Sequence, residues 1–162
     1  MSIFDQRVLF SSDHTIYWPK KYEKVVEYFK NGTGDKENPQ SLYKYNVEVI
    51  VMAACLGIRE KYAVDFSGEK NEINLSTFNS QGLGIYLYLI PMLSEELANL
   101  DYLRNKEGED KAISIFERYA AGGLELLNER LVTRSLESPY LFTQDLVSNR
   151  QDGVRDLDMD IF

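Results

Sequence analysis

At 162 residues, with 44% hydrophobic and 12% aromatic side chains, the chain can fill one domain core, which excludes wholesale disorder. A formal charge of −8 argues against general polyanion binding, because affinity for phosphate needs clustered Lys and Arg. The acidity is concentrated late: −1 over residues 1–81, −3 over 82–134 and −4 over 135–162.

The opening MSIFDQRVLFSS has no basic region followed by an apolar run, so no signal peptide is expected. A helix is predicted from about Pro19 to Lys30. Pro19 suits the first helical position, Tyr22, Val25, Val26 and Phe29 give the apolar face, and Asn31-Gly32 the stop. The polar stretch NGTGDKENPQ reads as a loop. Ser41 is then a fair N-cap for a second helix through Leu56, with Gly57 as terminator. Residues 47–56 are apolar nearly all round, which implies an enclosed helix, although the β-branched run VEVIV also fits a strand.

Tyr62, Val64 and Phe66, then Ile73 and Leu75, alternate with smaller or polar residues around SGEKN, the pattern of a β-hairpin over about residues 62–76. Leu83 to about Ile90 is apolar on every side and predicts a central helix that Pro91 kinks or ends. A further helix is predicted to begin at Ser94, with Leu97, Leu100 and Leu103 on one side. From about Asp110 to Leu131, the residues Ile113, Phe116, Ala120, Leu124, Leu127 and Leu131 mark one buried helical stripe, with Glu109 and Asp110 complementing the helix dipole at its start. Gly122 and Gly123 in its middle each cost about 1 kcal/mol against Ala, so close approach of another backbone, or a kink, is expected there. Tyr140–Val147 fits a short helix or an arm. The predicted fold is mainly α: a compact helical domain of about five helices over residues 1–150, with one small β-hairpin, followed by an acidic-hydrophobic tail over 151–162.

Groups that carry catalysis are few. His14 and Cys55 are the single histidine and cysteine, so Cys-His pairs and His/Cys metal sets reduce to one accidental pairing. Cys55 lies in VIVMAACLG and is expected to be a packed thiol, and His14 a surface or packing residue. No phosphate-binding G-x-x-x-x-G-K-[ST] loop occurs. Asp65 with Glu69-Lys70, and Glu109-Asp110-Lys111, come nearest to a nuclease's metal-binding acids, but turn solvation and dipole capping account for them. No catalytic residue, metal or cofactor is therefore expected. Lys20, Lys21 and Lys24, near Tyr17, Trp18, Tyr22 and Tyr28, are the candidates for contact with nucleic acid, the alternative being a solvated helix face. The longest apolar stretches fall short of the roughly twenty residues that cross a bilayer, so a cytoplasmic protein without membrane contact is expected. In the tail, Asp156, Asp158 and Asp160 alternate with Leu157, Met159 and Ile161 before Phe162, a pattern that suits either a peptide docking on a partner or a packed terminus.

Three stretches in order, KKYEKVVEYF, VIVMAACLGIREKY and AISIFERYAAGGLELLNERL, resemble the dnd system-associated protein 4 family of bacteria over roughly residues 15–134. The F-E-x-Y-A-x-G-G-L-E run of the last is the most specific. The resemblance implies an accessory subunit of a DNA phosphorothioation-linked restriction system that defends against foreign DNA, working through other protein subunits and touching nucleic acid at most indirectly. It transfers no catalytic residue. The positions it suggests for an interaction surface are Phe116, Glu117, Tyr119, Gly122, Gly123 and Glu125, of which Glu117 and Glu125, off the apolar stripe, are the better partner-binding candidates. A DNA-binding module, a metal-dependent nuclease and an acidic DNA mimic are the competing readings.

Overall fold

The longest periodic segment in the sequence becomes the axis of the fold. The structure, a computed structural model, describes residue 10 and residues 13–31, 41–97 and 105–134. In chain order these form strand β1 (Thr15–Pro19), a 3-10 turn (Lys20–Tyr22), α1 (Glu23–Asn31), α2 (Asn46–Arg59), β2 (Lys70–Asn74), α3 (Leu75–Ser80), α4 (Tyr86–Leu93) and α5 (Lys106–Arg134). The domain is mainly helical with one two-stranded sheet, as the sequence predicts.

Ile113, Phe116, Ala120, Leu124 and Leu127 are buried along α5, and Leu131 is half-buried. From Tyr119 to Leu124 every residue is buried, because α2 lies against the middle of α5. Two glycines, one on each helix, set that distance. A Cβ built on Gly123 would collide with the carbonyl of Ala53, and one on Gly57 with the carbonyl of Tyr119. A Cβ on Gly122 would strike the carbonyl of Tyr62, just beyond α2. The glycines expected to mark close backbone approach do so.

Gly57 does not terminate its helix. It lies inside α2, whose stop comes four residues later, where Lys61 adopts φ 53°. The Lys61 N–H donates to Ile58 and that of Tyr62 to Gly57, satisfying two end carbonyls, so a lysine fills the left-handed position that glycine usually takes. The start is also later than Ser41. Glu48 accepts the N–H groups of Lys44 and Tyr45, each at 2.8 Å, and fixes the first turn at Asn46. The helical reading of VEVIV holds.

The sheet differs from the predicted hairpin in its partner. β2 falls within residues 62–76, but it pairs antiparallel with β1, Thr15 opposite Asn74 and Pro19 opposite Lys70. Residues 62–66 form no strand. Their donors are already committed, Tyr62 N–H to Gly57 and Val64 N–H to Arg118 of α5. β1 supplies the missing alternation, with Ile16 and Trp18 buried and Tyr17 exposed. Pro19 consequently ends a strand, and α1 begins at Glu23, with Tyr22, Val25, Val26 and Phe29 buried as predicted.

Pro91 sits inside α4 without ending it, and the helix continues to Leu93. Ser94, expected to open the next helix, closes this one instead: its hydroxyl donates to the Pro91 carbonyl at 2.6 Å, and Glu95 turns the chain at φ 64°. Leu97 is buried, whereas Leu100 and Leu103 lie outside the described residues. So do the tail and the Tyr140–Val147 segment. Trp18, Phe29, Phe78, Phe116 and Leu87 join one hydrophobic cluster that draws on every helix and both strands. Among the described residues, no helix is long and apolar enough to cross a membrane.

Candidate functional site

The α4 helix buries Leu87, Ile90 and Pro91 on one side and leaves the other uncovered. Ile85, just before the helix, is 49% exposed, with Leu89 at 41%, Met92 at 43% and Leu93 at 65%. The spacing of four, three and one places them on one face. No charged residue occurs from Gln81 to Ser94, so this face is apolar without interruption. Side chains of this size and exposure offer roughly 350 Å² of apolar surface, the size of the largest patch on a typical monomer, which is often functional. At its lower rim, Arg118 of α5 donates to Glu96 at 3.1 Å and lies 3.0 Å from the carboxylate of Asp65.

On the flank of the same helix lies a buried polar group that sequence reasoning passed over. His14 Nε2 is 2.8 Å from Glu109 Oε2, and His14 Nδ1 is 3.4 Å from Asp110 Oδ1. The Glu109 side chain is 1% exposed and that of His14 7%. Phe10 meets His14 edge-on and stacks on Tyr88 of α4. Burial pushes the Tyr88 phenol far above its usual range, and the nearby Glu109 carboxylate raises it further. Glu109 therefore does more than complement the helix dipole: it ties the chain ahead of β1 to the first turn of α5. With the ring between two carboxylates and under Phe10, the arrangement is built for fastening. No feature of the sequence joins the two residues, which lie 95 positions apart.

The predicted interface glutamates both hold internal bonds. Glu117 is half-buried and accepts the Tyr17 N–H at 2.7 Å. Burial raises its carboxyl above the usual range, against the lowering influence of that bond and of Lys70. Glu125 accepts the Tyr62 hydroxyl at 2.8 Å, a bond that raises the phenol's pKa. Phe116 packs edge-on against Phe78, and Tyr119 is buried. Asp156, Asp158, Asp160 and Phe162 lie outside the described residues.

Lys20, Lys21 and Lys24 are exposed together around the 3-10 turn and α1. Lys20 is 3.4 Å from Glu69, and Lys21 lies over the Tyr22 ring, 4.9 Å from its centroid. The shallow groove between them is lined by Pro19, Lys20, Lys21, Glu23, Ser67 and Glu69, so two acids offset two lysines. Asp65 and Glu69, the nearest approach to a nuclease pair, each face a cation, Arg118 and Lys20. Among the described residues, no group of three or more His, Cys, Asp or Glu side chains could hold a metal ion. Cys55 is half-buried, and burial raises its thiol above the usual value.

A family model described as DNA sulphur modification system-associated protein 4 matches residues 16–161. The chain belongs to that family. Membership extends well beyond the roughly 15–134 of the sequence resemblance and takes in the acidic tail through Ile161. Membership associates the chain with a DNA sulphur modification system, which is the context in which an exposed apolar helix face has to be read. No curated protein and no solved structure matches it.

Proposed function

We propose that this protein is a non-catalytic accessory subunit of a DNA phosphorothioation-linked restriction system, cytoplasmic and active in defence against foreign DNA. It works by docking on another protein subunit of that system. The observation that carries this reading is the face of α4 formed by Ile85, Leu89, Met92 and Leu93. A chain with a formal charge of −8 keeps that face free of charge over fourteen residues, Gln81 to Ser94. Its complement is an apolar ridge on a partner, an amphipathic helix with anchors at i, i+4 and i+7. Family membership supplies the partners in general terms. The acids interleaved with Lys20 and Lys21 favour this reading over duplex binding, which needs uncompensated cations.

The test is capture of subunits encoded with the DNA sulphur modification genes, by tagged protein purified from cells that express them. Leu89→Asp and Ile85→Asp, each on an exposed position, should lose the captured subunit while retaining the parent melting temperature. Undiminished capture by both variants would reject docking through α4. Binding to duplex DNA that weakens steeply with added salt, and is lost on Lys20→Ala with Lys21→Ala, would replace this reading with the DNA-binding one.

A further inference from the structure

The hydrogen-bond alternation of the two-stranded sheet decides which backbone groups β1 and β2 leave over. At the two ends of the ladder the Lys20 N–H donates to Glu69 and the Leu75 N–H to His14, each at 3.0 Å. With Ile16 opposite Ile73 and Trp18 opposite Asn71, the bonds run between His14, Ile16, Trp18 and Lys20 on one side and Leu75, Ile73, Asn71 and Glu69 on the other. The residues between these point their N–H and C=O groups away from the opposite strand. On β1 that outer edge meets α5, where Glu117 accepts the Tyr17 N–H. On β2 it belongs to Lys70, Glu72 and Asn74, all exposed. Asn74 is the N-cap of α3, so its carbonyl serves the first helical turn. Among the described residues, the N–H and C=O groups of Lys70 and Glu72 have no partner. We propose that two copies of the chain pair antiparallel along this edge, with Asn71 on the two-fold axis and Lys70 opposite Glu72 of the second copy, joining both sheets into one. The pairing goes beyond docking through α4 and does not depend on it.

Register, charge and sheet size select a second copy. Centred on Asn71, the pairing lets the Lys70 N–H donate to the Glu72 carbonyl of the other copy, and the Glu72 N–H to its Lys70 carbonyl, so every free group is used. Centred on Glu72 or Ile73, it calls on the Asn74 carbonyl that α3 holds. Centred on Lys70, it sets two ammonium groups directly opposite. Charge points the same way. Edges guarded against pairing carry charge, commonly lysine. Here the two edge charges have opposite sign, and about Asn71 each meets its opposite. Among the described residues neither forms an ion pair within its own chain: the Lys70 ammonium lies over the rings of Tyr17 and Phe66, 5.6 and 5.5 Å from their centroids, and Glu72 meets no cation. Sheet size is the third argument. A sheet of two strands is marginal alone, whereas three or more strands support one another. The strands are short, and their contact falls below the roughly 800 Å² per side of a standard interface, so the dimer is reversible.

The test exchanges charges on the full chain. In sedimentation velocity the parent should form a dimer that dissociates on dilution. Lys70→Glu and Glu72→Lys, both at exposed positions, should each be monomeric, since each sets like charges opposite across the axis. Mixed in equal amounts, the two variants should form a heterodimer, because every facing pair is then oppositely charged. A parent that is monomeric at every concentration, a dimer indifferent to both substitutions, or a mixture that stays monomeric would each overturn the proposal. Amide hydrogen exchange reads the backbone directly. Raising the parent's concentration should slow the Lys70 and Glu72 amides severalfold and leave those of Asn71 and Ile73, already bonded to β1, unchanged. Exchange at Lys70 and Glu72 that is the same at high and low concentration would also overturn it. Leu89→Asp should keep the dimer, which separates this pairing from docking through α4. A monomeric protein whose capture of a partner subunit is lost on Glu72→Lys would overturn the proposal in favour of a foreign strand on the same edge.

Discussion

Gly123→Ala opposes two effects of opposite sign. In an isolated helix the change should stabilise by about 1 kcal/mol, because alanine restricts the unfolded chain and favours the helix. In α5 the added methyl meets the carbonyl, carbonyl carbon and Cα of Ala53, which are backbone atoms within α2. They cannot rotate aside as a side-chain tip would. The two helices must separate along their contact, which opens gaps around neighbours such as Ala54 and Ala120, both fully buried. Overpacking of this kind costs about 1–3 kcal/mol, and a backbone obstacle belongs at the upper end. With the propensity gain subtracted, a net loss of about 2 kcal/mol is expected. For a chain of this size that lowers the melting temperature by about 4–8 °C. Thermal and urea denaturation followed by circular dichroism at 222 nm would measure it. A Gly123→Ala protein as stable as the parent, or more so, would show that α2 and α5 do not approach as described.

His14→Ala should lower stability by about 3 kcal/mol, since it leaves the buried Glu109 carboxylate without its imidazole partner; His14→Ala with Glu109→Gln should recover part of the loss in urea denaturation. Lys61→Gly should raise stability by about 1 kcal/mol, because Lys61 is exposed and holds a left-handed conformation that costs an L-residue about that much, and an unchanged urea midpoint would contradict the proposed helix stop. Glu117 has a carboxyl raised by burial, so folding favours its protonated form, and the stability it contributes is full below the unfolded pKa and lost as pH rises through the folded one. Glu117→Gln keeps an acceptor for the Tyr17 N–H and should therefore exceed the parent in stability at neutral pH, with urea midpoints converging as the pH is lowered through the carboxylate range.

How much of this was legible depends on how far apart the interacting residues are. The stripe of α5 could be read directly, because its periodicity lies within one segment. So could Tyr22, Val25, Val26 and Phe29. Gly57 was misread because glycine serves two purposes, a left-handed stop and a close contact, and only the position of Tyr119 separates them. The hairpin was half right for a related reason. Alternation marks a strand but does not name its partner, and the donors of Tyr62 and Val64 were taken by α2 and α5. His14 and Glu109 lie 95 residues apart, and neither carries a mark of the other.

The α4 face was hidden by a different cause. A segment that is apolar on every side reads as fully enclosed, and nothing in Gly84–Leu93 distinguishes the buried Leu87 and Ile90 from the exposed Leu89 and Leu93. Polar residues drew attention instead, since Glu117 and Glu125 interrupt the α5 pattern. Yet a polar group on a central helix is a means of tying down neighbouring backbone, as Glu117 does for Tyr17 and Glu125 for the Tyr62 hydroxyl. On α5, Glu109 and Glu117 are drawn inward and bonded within the fold, whereas Glu107, Asp110 and Glu129 stay exposed. The uncovered apolar surface belongs instead to the shorter α4, which has more apolar residues than its packing against α5 and α2 can cover.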